Sequence, residues 1–222
     1  MPDKTKQKYH IGVFDTGAGG RLVADRLKKL LPNCRFTVVN DAAHAPYGGR
    51  PEAEIIRFTD NAIQPLLPCQ YVVIACNTAT VTAIKTLRQK YPDNIFIGFE
   101  PMIKTAAQVS QKRHITLLAT DATKQSSRLK ELIRQYAADF TIDEPDTHDW
   151  ARKIDAEQVD QIQLSEVARS IESGSDTIVI GCTHYLALEK QLRERFRDVA
   201  ILEPTKAVAN RLDALTKEKC YN

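Results

Sequence analysis

The feature that most limits how this chain can fold is that its two halves follow one programme. Ile11 of IGVFDTG and Ile115 of ITLLATD lie 104 positions apart, and so do Phe36 of FTVV and Phe140 of FTID. Cys76 of VVIACNTA and Cys182 of IVIGCTHY lie 106 apart, and Glu100-Pro101 precedes Glu203-Pro204 by 103. Four matches in order at a near-constant shift indicate a duplication. A period this long means two domains rather than a solenoid of short repeats. With 222 residues, 43% of them hydrophobic, the chain can bury two such cores.

Within each half, short β-branched runs alternate with helical patterns. IGVF, RFTVVN, YVVIA and NIFIGF read as strands in the first half; HITLLA, DFTI, TIVIG and VAIL read as strands in the second. RLVADRLKKLL places Leu22, Val23, Leu27, Leu30 and Leu31 on one helix face. Pro51 suits the first turn of another helix. The almost wholly apolar YVVIA belongs in the middle of a parallel sheet covered on both faces. Strand–helix alternation with short connections predicts an α/β fold of two pseudo-symmetric domains, each a mainly parallel sheet flanked by helices. The boundaries expected are 1–102 with 206–222 for the first domain and 103–205 for the second.

Composition narrows the function classes. The net charge is +3, and basic and acidic residues are interspersed, so no nucleic-acid face stands out. The opening MPDKTKQK has no apolar stretch after it, unlike a signal peptide, and no uninterrupted apolar run reaches the ~18 residues of a membrane span. The five cysteines (Cys34, Cys69, Cys76, Cys182 and Cys220) show no CxxC spacing, which speaks against a zinc knot. A cytoplasmic setting with reduced thiols is expected.

Two of these cysteines carry the chemistry. Cys76 and Cys182 each follow the most apolar strand of their half, at the carboxyl end where doubly wound sheets place ligands. Asn77, Thr78 and Thr183 are cap or turn residues for the next helix, so each thiol should lie near free N–H groups and the positive end of a helix dipole, favouring thiolate. If the two strand ends face each other, two sulfurs meet one substrate from opposite sides. One removes a proton and the other returns a proton to the opposite face, which inverts a stereocentre. Cysteine suits both roles because its pKa, ~8.5 unperturbed, can be tuned so that thiol and thiolate coexist. Cys34, Cys69 and Cys220 have no counterparts in the other half and read as ordinary small residues. In FDTGAGG the glycines let backbone approach a ligand.

At these residues the sequence resembles the glutamate racemase family, within the wider aspartate/glutamate racemase group. The segments are IGVFDTGAGG, DAAHAPYGGR, VVIACNTAT, IGFEPMIKTA and IVIGCTHY, and in order they cover most of the chain. The resemblance implies two α/β domains with the active site in the cleft between them. It also implies racemisation of glutamate without cofactor or metal, supplying D-glutamate for peptidoglycan, and a cytoplasmic homodimer with no nucleic-acid or membrane partner. By resemblance, Cys76 takes the proton from the D-enantiomer and Cys182 from the L-enantiomer. Asp15 assists the first thiol, and His184 matches the histidine two positions after the second. Asp15, Thr16, Pro46, Tyr47, Gly48, Asn77, Thr78, Thr183 and His184 match residues that hold the substrate. Thr120 and Thr123 match a family segment without an assigned role. Glu100 and Glu203, each before a proline, read as structural residues at domain hinges.

The sequence also departs from the family. Thr16 stands where the family has serine, and Leu186 where it has proline. The Cys-Pro stretch ending in Val-Glu is replaced by FTIDEPDTHDWARKID. The glutamate that assists the second thiol therefore has no evident counterpart; Asp143, Glu144 and Asp146 are the acids considered in its place. Two other readings follow from these changes: a racemase for aspartate or another small amino acid, and an amino-acid-binding homologue that has lost catalysis. Decarboxylase relatives need one cysteine of the two, so the presence of both argues against that chemistry.

Overall fold

The computed structural model of the protein describes residues 9–218. Cys220 lies outside the described residues. The first half contains strands β1 (Tyr9–Asp15), β2 (Cys34–Asn40), β3 (Tyr71–Ile74) and β4 (Ile95–Gly98), with helices α1 (Gly19–Leu30), α2 (Glu52–Ala62) and α3 (Asn77–Lys90). Strands β5 (His114–Ala119), β6 (Thr141–Asp143), β7 (Thr177–Gly181) and β8 (Ala200–Leu202) form the second half. Its helices are α4 (Ile103–Val109), α5 (Asp121–Gln125), α6 (Ser127–Tyr136), α7 (Trp150–Asp155), α8 (Ser165–Glu172) and α9 (Glu189–Arg195), and α10 (Thr205–Glu218) follows β8.

The strands form two separate four-stranded sheets with the same order, β2-β1-β3-β4 and β6-β5-β7-β8, all parallel. Ile11 pairs with Tyr71 in the first sheet, and Ile115 with Thr177 in the second. This is the α/β fold of two similar halves that the repeat predicts. Every residue of β3 and β7 is buried, as their unbroken apolar runs require. In each sheet the order reverses between two central strands, β1 and β3 in one, β5 and β7 in the other. Such a switch point leaves an open crevice at the carboxyl ends of the strands. Asp15 and Cys76 sit at one crevice, Thr120 and Cys182 at the other.

Each sheet has a private core on one face. Phe14, Val72 and Ile74 pack with Ile55 of α2 and Leu87 of α3; Ile115, Leu117 and Val179 pack with Ile103 of α4 and Leu129 of α6. The third cluster is shared. Val23 and Leu27 of α1, Leu212 of α10, Ile178 and Ile180 of β7, and Leu188 and Leu192 near α9 form one continuous core. Burying a leucine or isoleucine contributes about 1.5–3 kcal/mol, so the halves are joined by hydrophobic packing on this side. Closing helix α10 places Val208 and Leu212 in that core, and Tyr71 Oη donates to Leu215 O at 3.3 Å.

Candidate active site

The β1–α1 turn brings the two halves into contact. Thr183, next to Cys182, donates its hydroxyl to both oxygens of Asp15, at 3.1 and 3.2 Å. The fit is tight enough to require glycine: a Cβ on Gly19 would meet the Thr183 carbonyl carbon at 2.6 Å, and one on Gly17 would overlap the His184 ring. Asp15 is fully buried. Burial pushes its carboxyl above the usual range, opposed by the nearby His184 and by hydrogen bonds from Thr16, Gly17 and Thr183.

Cys76 is itself the N-cap of α3. Its Sγ accepts from Ala79 N–H at 3.4 Å and from the Thr16 hydroxyl at 3.6 Å. The expectation that Asn77 or Thr78 caps this helix is corrected: the thiol takes that place. The expected preference for thiolate at Cys76 is also corrected. Burial raises the thiol's pKa, and the negative charge of Asp15 adds to the rise; the two hydrogen bonds only partly offset them. Asn77 donates its amide to Phe99 O at 2.7 Å. The Thr78 hydroxyl meets those of Thr120 at 2.9 Å and Thr123 at 3.5 Å, so three hydroxyls from both halves converge.

On the other side, the segment after Cys182 is a 3-10 turn, His184–Leu188, before α9 begins. Thr183 makes no cap bond there, because its hydroxyl is committed to Asp15. His184 Nδ1 lies 3.7 Å from Cys182 Sγ, and Nε2 lies 3.2 Å from Asp155 Oδ2. The second contact is an ion pair without hydrogen-bond alignment, since Nε2 has no aligned acceptor. Burial alone would lower the pKa of His184, but Asp155 and Cys182 raise it well above the ordinary histidine value. Asp155 is correspondingly held below the usual carboxylate range: its own burial opposes this, and the His184 contact outweighs it.

Both thiols line one cavity together with Thr16, Pro46, Tyr47, Gly48, Asn77, Thr78, Thr120, Ala151, Thr183 and His184. Each sulfur residue is 6% exposed. Only about 10 Å³ of the cavity is open to the centre of a water molecule, room for roughly one water. Tyr47 is buried and donates to Asp41 Oδ2 at 2.6 Å, while Gly48 O accepts from Ala122 N–H at 3.2 Å, closing one half onto the other. Among the described residues no three His, Cys, Asp or Glu side chains converge as metal ligands would.

The sequence profile of the Asp/Glu/hydantoin racemase family matches residues 26–212. A glutamate racemase of Sulfurovum sp. (strain NBC37-1) is 33% identical over 222 residues, covering 95% of this chain and 84% of that protein. This chain belongs to the family. A glutamate racemase of Shewanella woodyi is 35% identical over 216 residues, covering 93% of this chain and 81% of its own length. The Escherichia coli glutamate racemase, solved with L-glutamate and an activator, superposes with a TM-score of 0.81 at 29% identity, covering 94% of this chain and 82% of that one.

Within this family frame, all nine residues expected to hold substrate or act in catalysis beside the cysteines come together. Eight line the cavity, and Asp15 lies directly behind it through Thr183. The residue missed is Asp155. The acids considered in place of the family glutamate lie elsewhere: Asp143 bonds His114 at 2.8 Å and Ser170, Glu144 is exposed, and Asp146 accepts from the backbone N–H of His148. Helix α7 explains the difference. Trp150, Ala151 and Ile154 are its buried stripe, with Trp150 edge-on to Tyr185 at 5.4 Å. That anchoring leaves Asp155 at the rim, reaching inward to His184. Reading WARKID as an amphipathic turn would have pointed to it.

Proposed function

We propose that this protein interconverts L- and D-glutamate by a two-thiol acid/base mechanism, supplying D-glutamate for peptidoglycan synthesis. The observation that carries the reading is that Cys76 and Cys182, at matching switch points of two like sheets, line one sealed cavity. The named glutamate racemases, similar along nearly the whole chain, support glutamate as the substrate. The chemistry uses protein groups alone. Cys76 as thiolate takes the Cα proton of D-glutamate, and the thiol of Cys182 delivers a proton to the opposite face. The reverse sequence converts L- to D-glutamate. That proton is very weakly acidic, so the developing negative charge must be met by fixed donors in a water-poor site. The hydroxyls of Thr16, Thr78 and Thr120, which line the cavity, are such donors. Asp15 acts behind the pair by orienting Thr183, and His184 works on Cys182.

The cavity is far too small for an amino acid, so the halves separate to admit substrate and close around it. The proposed domains are 1–102 with 206–222, and 103–205. The packing of α10 on α1 supports placing that helix with the first. The reading of a binding protein without catalysis rested on a missing acid for the second thiol; Asp155, which reaches His184 beside that thiol, supports catalysis instead. A cytoplasmic homodimer is the proposed setting, to be checked by sedimentation; no helix among the described residues is long and apolar enough to cross a membrane.

The test is incubation with D-glutamate in deuterium oxide, following optical rotation and deuterium at Cα. Product L-glutamate should carry solvent deuterium while unreacted D-glutamate stays largely unlabelled. Cys76→Ala and Cys182→Ala should each abolish racemisation. Full activity in either variant, or preferential turnover of aspartate in a parallel assay, would sink the reading.

A further inference from the structure

Helix α7 borders the reaction cavity. Ala151 forms part of the cavity wall. Two openings flank that wall, of about 480 and 400 Å³, and Arg152 lines both, as does Pro46. The first opening also presents Arg50, Asp121, His148 and Asp149, and the second Asp155.

Charge accounting singles out Arg152. Asp149 is paired with Lys153 at 2.7 Å, Asp121 with His148 at 3.2 Å, and Asp155 with the buried His184 at 3.2 Å. Arg50 lies 3.6 Å from Glu54 and donates Nε to His44 O at 2.8 Å. The Asp149 carboxylate feels the charge of Arg152, yet among the described residues no acid comes within ion-pair distance of the Arg152 guanidinium. It is an exposed, uncommitted cation beside the wall that must open.

We propose that Arg152 captures the side-chain carboxylate of the acidic substrate at the mouth of the site, before the halves close. This rests on the reading that the substrate is glutamate, an amino acid carrying one net negative charge. A permanently charged planar donor fork suits a carboxylate. A cation at the mouth raises the local concentration of an anionic substrate and loses that effect as salt rises. An uncharged amino acid of similar size gains nothing from it. Arg152 is a positioning residue in this scheme, because the reacting atoms lie beyond Ala151.

The experiment compares wild type, Arg152→Ala and Arg152→Lys as full chains, with D-glutamate, from low to high sodium chloride. Wild-type turnover is the control: no racemisation of glutamate by wild type would refute the functional reading itself. With that activity present, Arg152→Ala should raise KM about fivefold while kcat stays within about twofold, the size expected of one exposed ion pair. Arg152→Lys should recover most of the loss. Wild-type kcat/KM should fall with salt, and that slope should flatten in Arg152→Ala. An unchanged KM and salt slope in Arg152→Ala overturns the proposal. So does a fall confined to kcat, which would mean that α7 itself had been disturbed.

Discussion

Asp155 Oδ2 sits 3.2 Å from His184 Nε2, and the other ring nitrogen faces Cys182 at 3.7 Å. The second thiol thus has its own acid–imidazole support, contributed by the end of helix α7. Asp155 acts through His184, so its removal should fall on proton transfers at Cys182. Enantiomers are equal in free energy, so kcat/KM must drop equally in both directions for Asp155→Asn, by about tenfold or more. The asymmetry appears in isotope effects. With α-deuterated L-glutamate, where the proposed mechanism has Cys182 break the bond, the effect on kcat/KM should grow. With α-deuterated D-glutamate it should shrink toward unity, because delivery from Cys182 becomes limiting. Isotope effects that change equally for the two enantiomers would mean that Asp155 merely holds the fold.

The same pair fixes a pH dependence of stability. His184 titrates higher in the folded protein than its ordinary 6.5, so its contribution is fully present below that value and is lost as pH rises through the raised one. Asp155 titrates below its ordinary 3.8, so its contribution is present above that value and is lost as pH falls through the lowered one. The pair, counted once, therefore stabilises most between about pH 4 and 6.5. Because Asp155 is partly open to solvent, the amount is on the order of 1 kcal/mol. Urea midpoints of wild type and Asp155→Asn should differ most in that window and converge as pH rises past the folded His184 value. A difference that is constant with pH would exclude the charged pair.

Gly17 offers a steric test. A methyl group there would overlap Nε2 of His184, a ring that is 4% exposed and lies in the Asp15–Thr183 contact region. Gly17→Ala should therefore cost about 1–3 kcal/mol of stability, as overpacking does, and displace the imidazole from Cys182. The expected signature is a lower thermal midpoint together with a loss of kcat/KM like that of Asp155→Asn. An active, stable Gly17→Ala protein would show that the two halves do not meet here as described.

Much of this was legible in the sequence. The apolar runs of β3 and β7, and the cysteine after each, predict both the sheets and the thiol positions, because burial on two faces leaves no alternation to confuse the reading. The repeat predicts their pairing. Three features were not legible. Asp15 bonds Thr183 across 168 positions, a contact that no local period encodes. The core joining α1 to β7 and α10 arises from how the halves dock, not from either half alone. The raised pKa of Cys76 follows from burial and the charge of Asp15, which outweigh the helix-end donors visible in the sequence.

Glu100 and Glu203, read as hinge residues, prove to be matched clasps. Glu100 holds Arg128 of α6 with two hydrogen bonds, at 2.8 and 3.0 Å. Glu203 lies 3.5 Å from Arg26 of α1, which also reaches Glu189 at 2.6 Å. Each half thus ends in a glutamate that grips an arginine on the first long helix of the other half. Single exposed pairs contribute about 0–1 kcal/mol, so Arg128→Ala alone should change kcat/KM by no more than about fivefold. Both clasps oppose the proposed separation of the halves, so Arg26→Ala with Arg128→Ala should act together. Backbone hydrogen exchange around residues 99–103 and 202–205 should quicken more in the double variant than the singles predict, while β3 and β7 stay protected. KM should rise with it, because part of the substrate's binding energy then goes into closing the halves. Exchange in both crossings at the wild-type rate would show that the carboxylate–guanidinium pairs do not restrain opening.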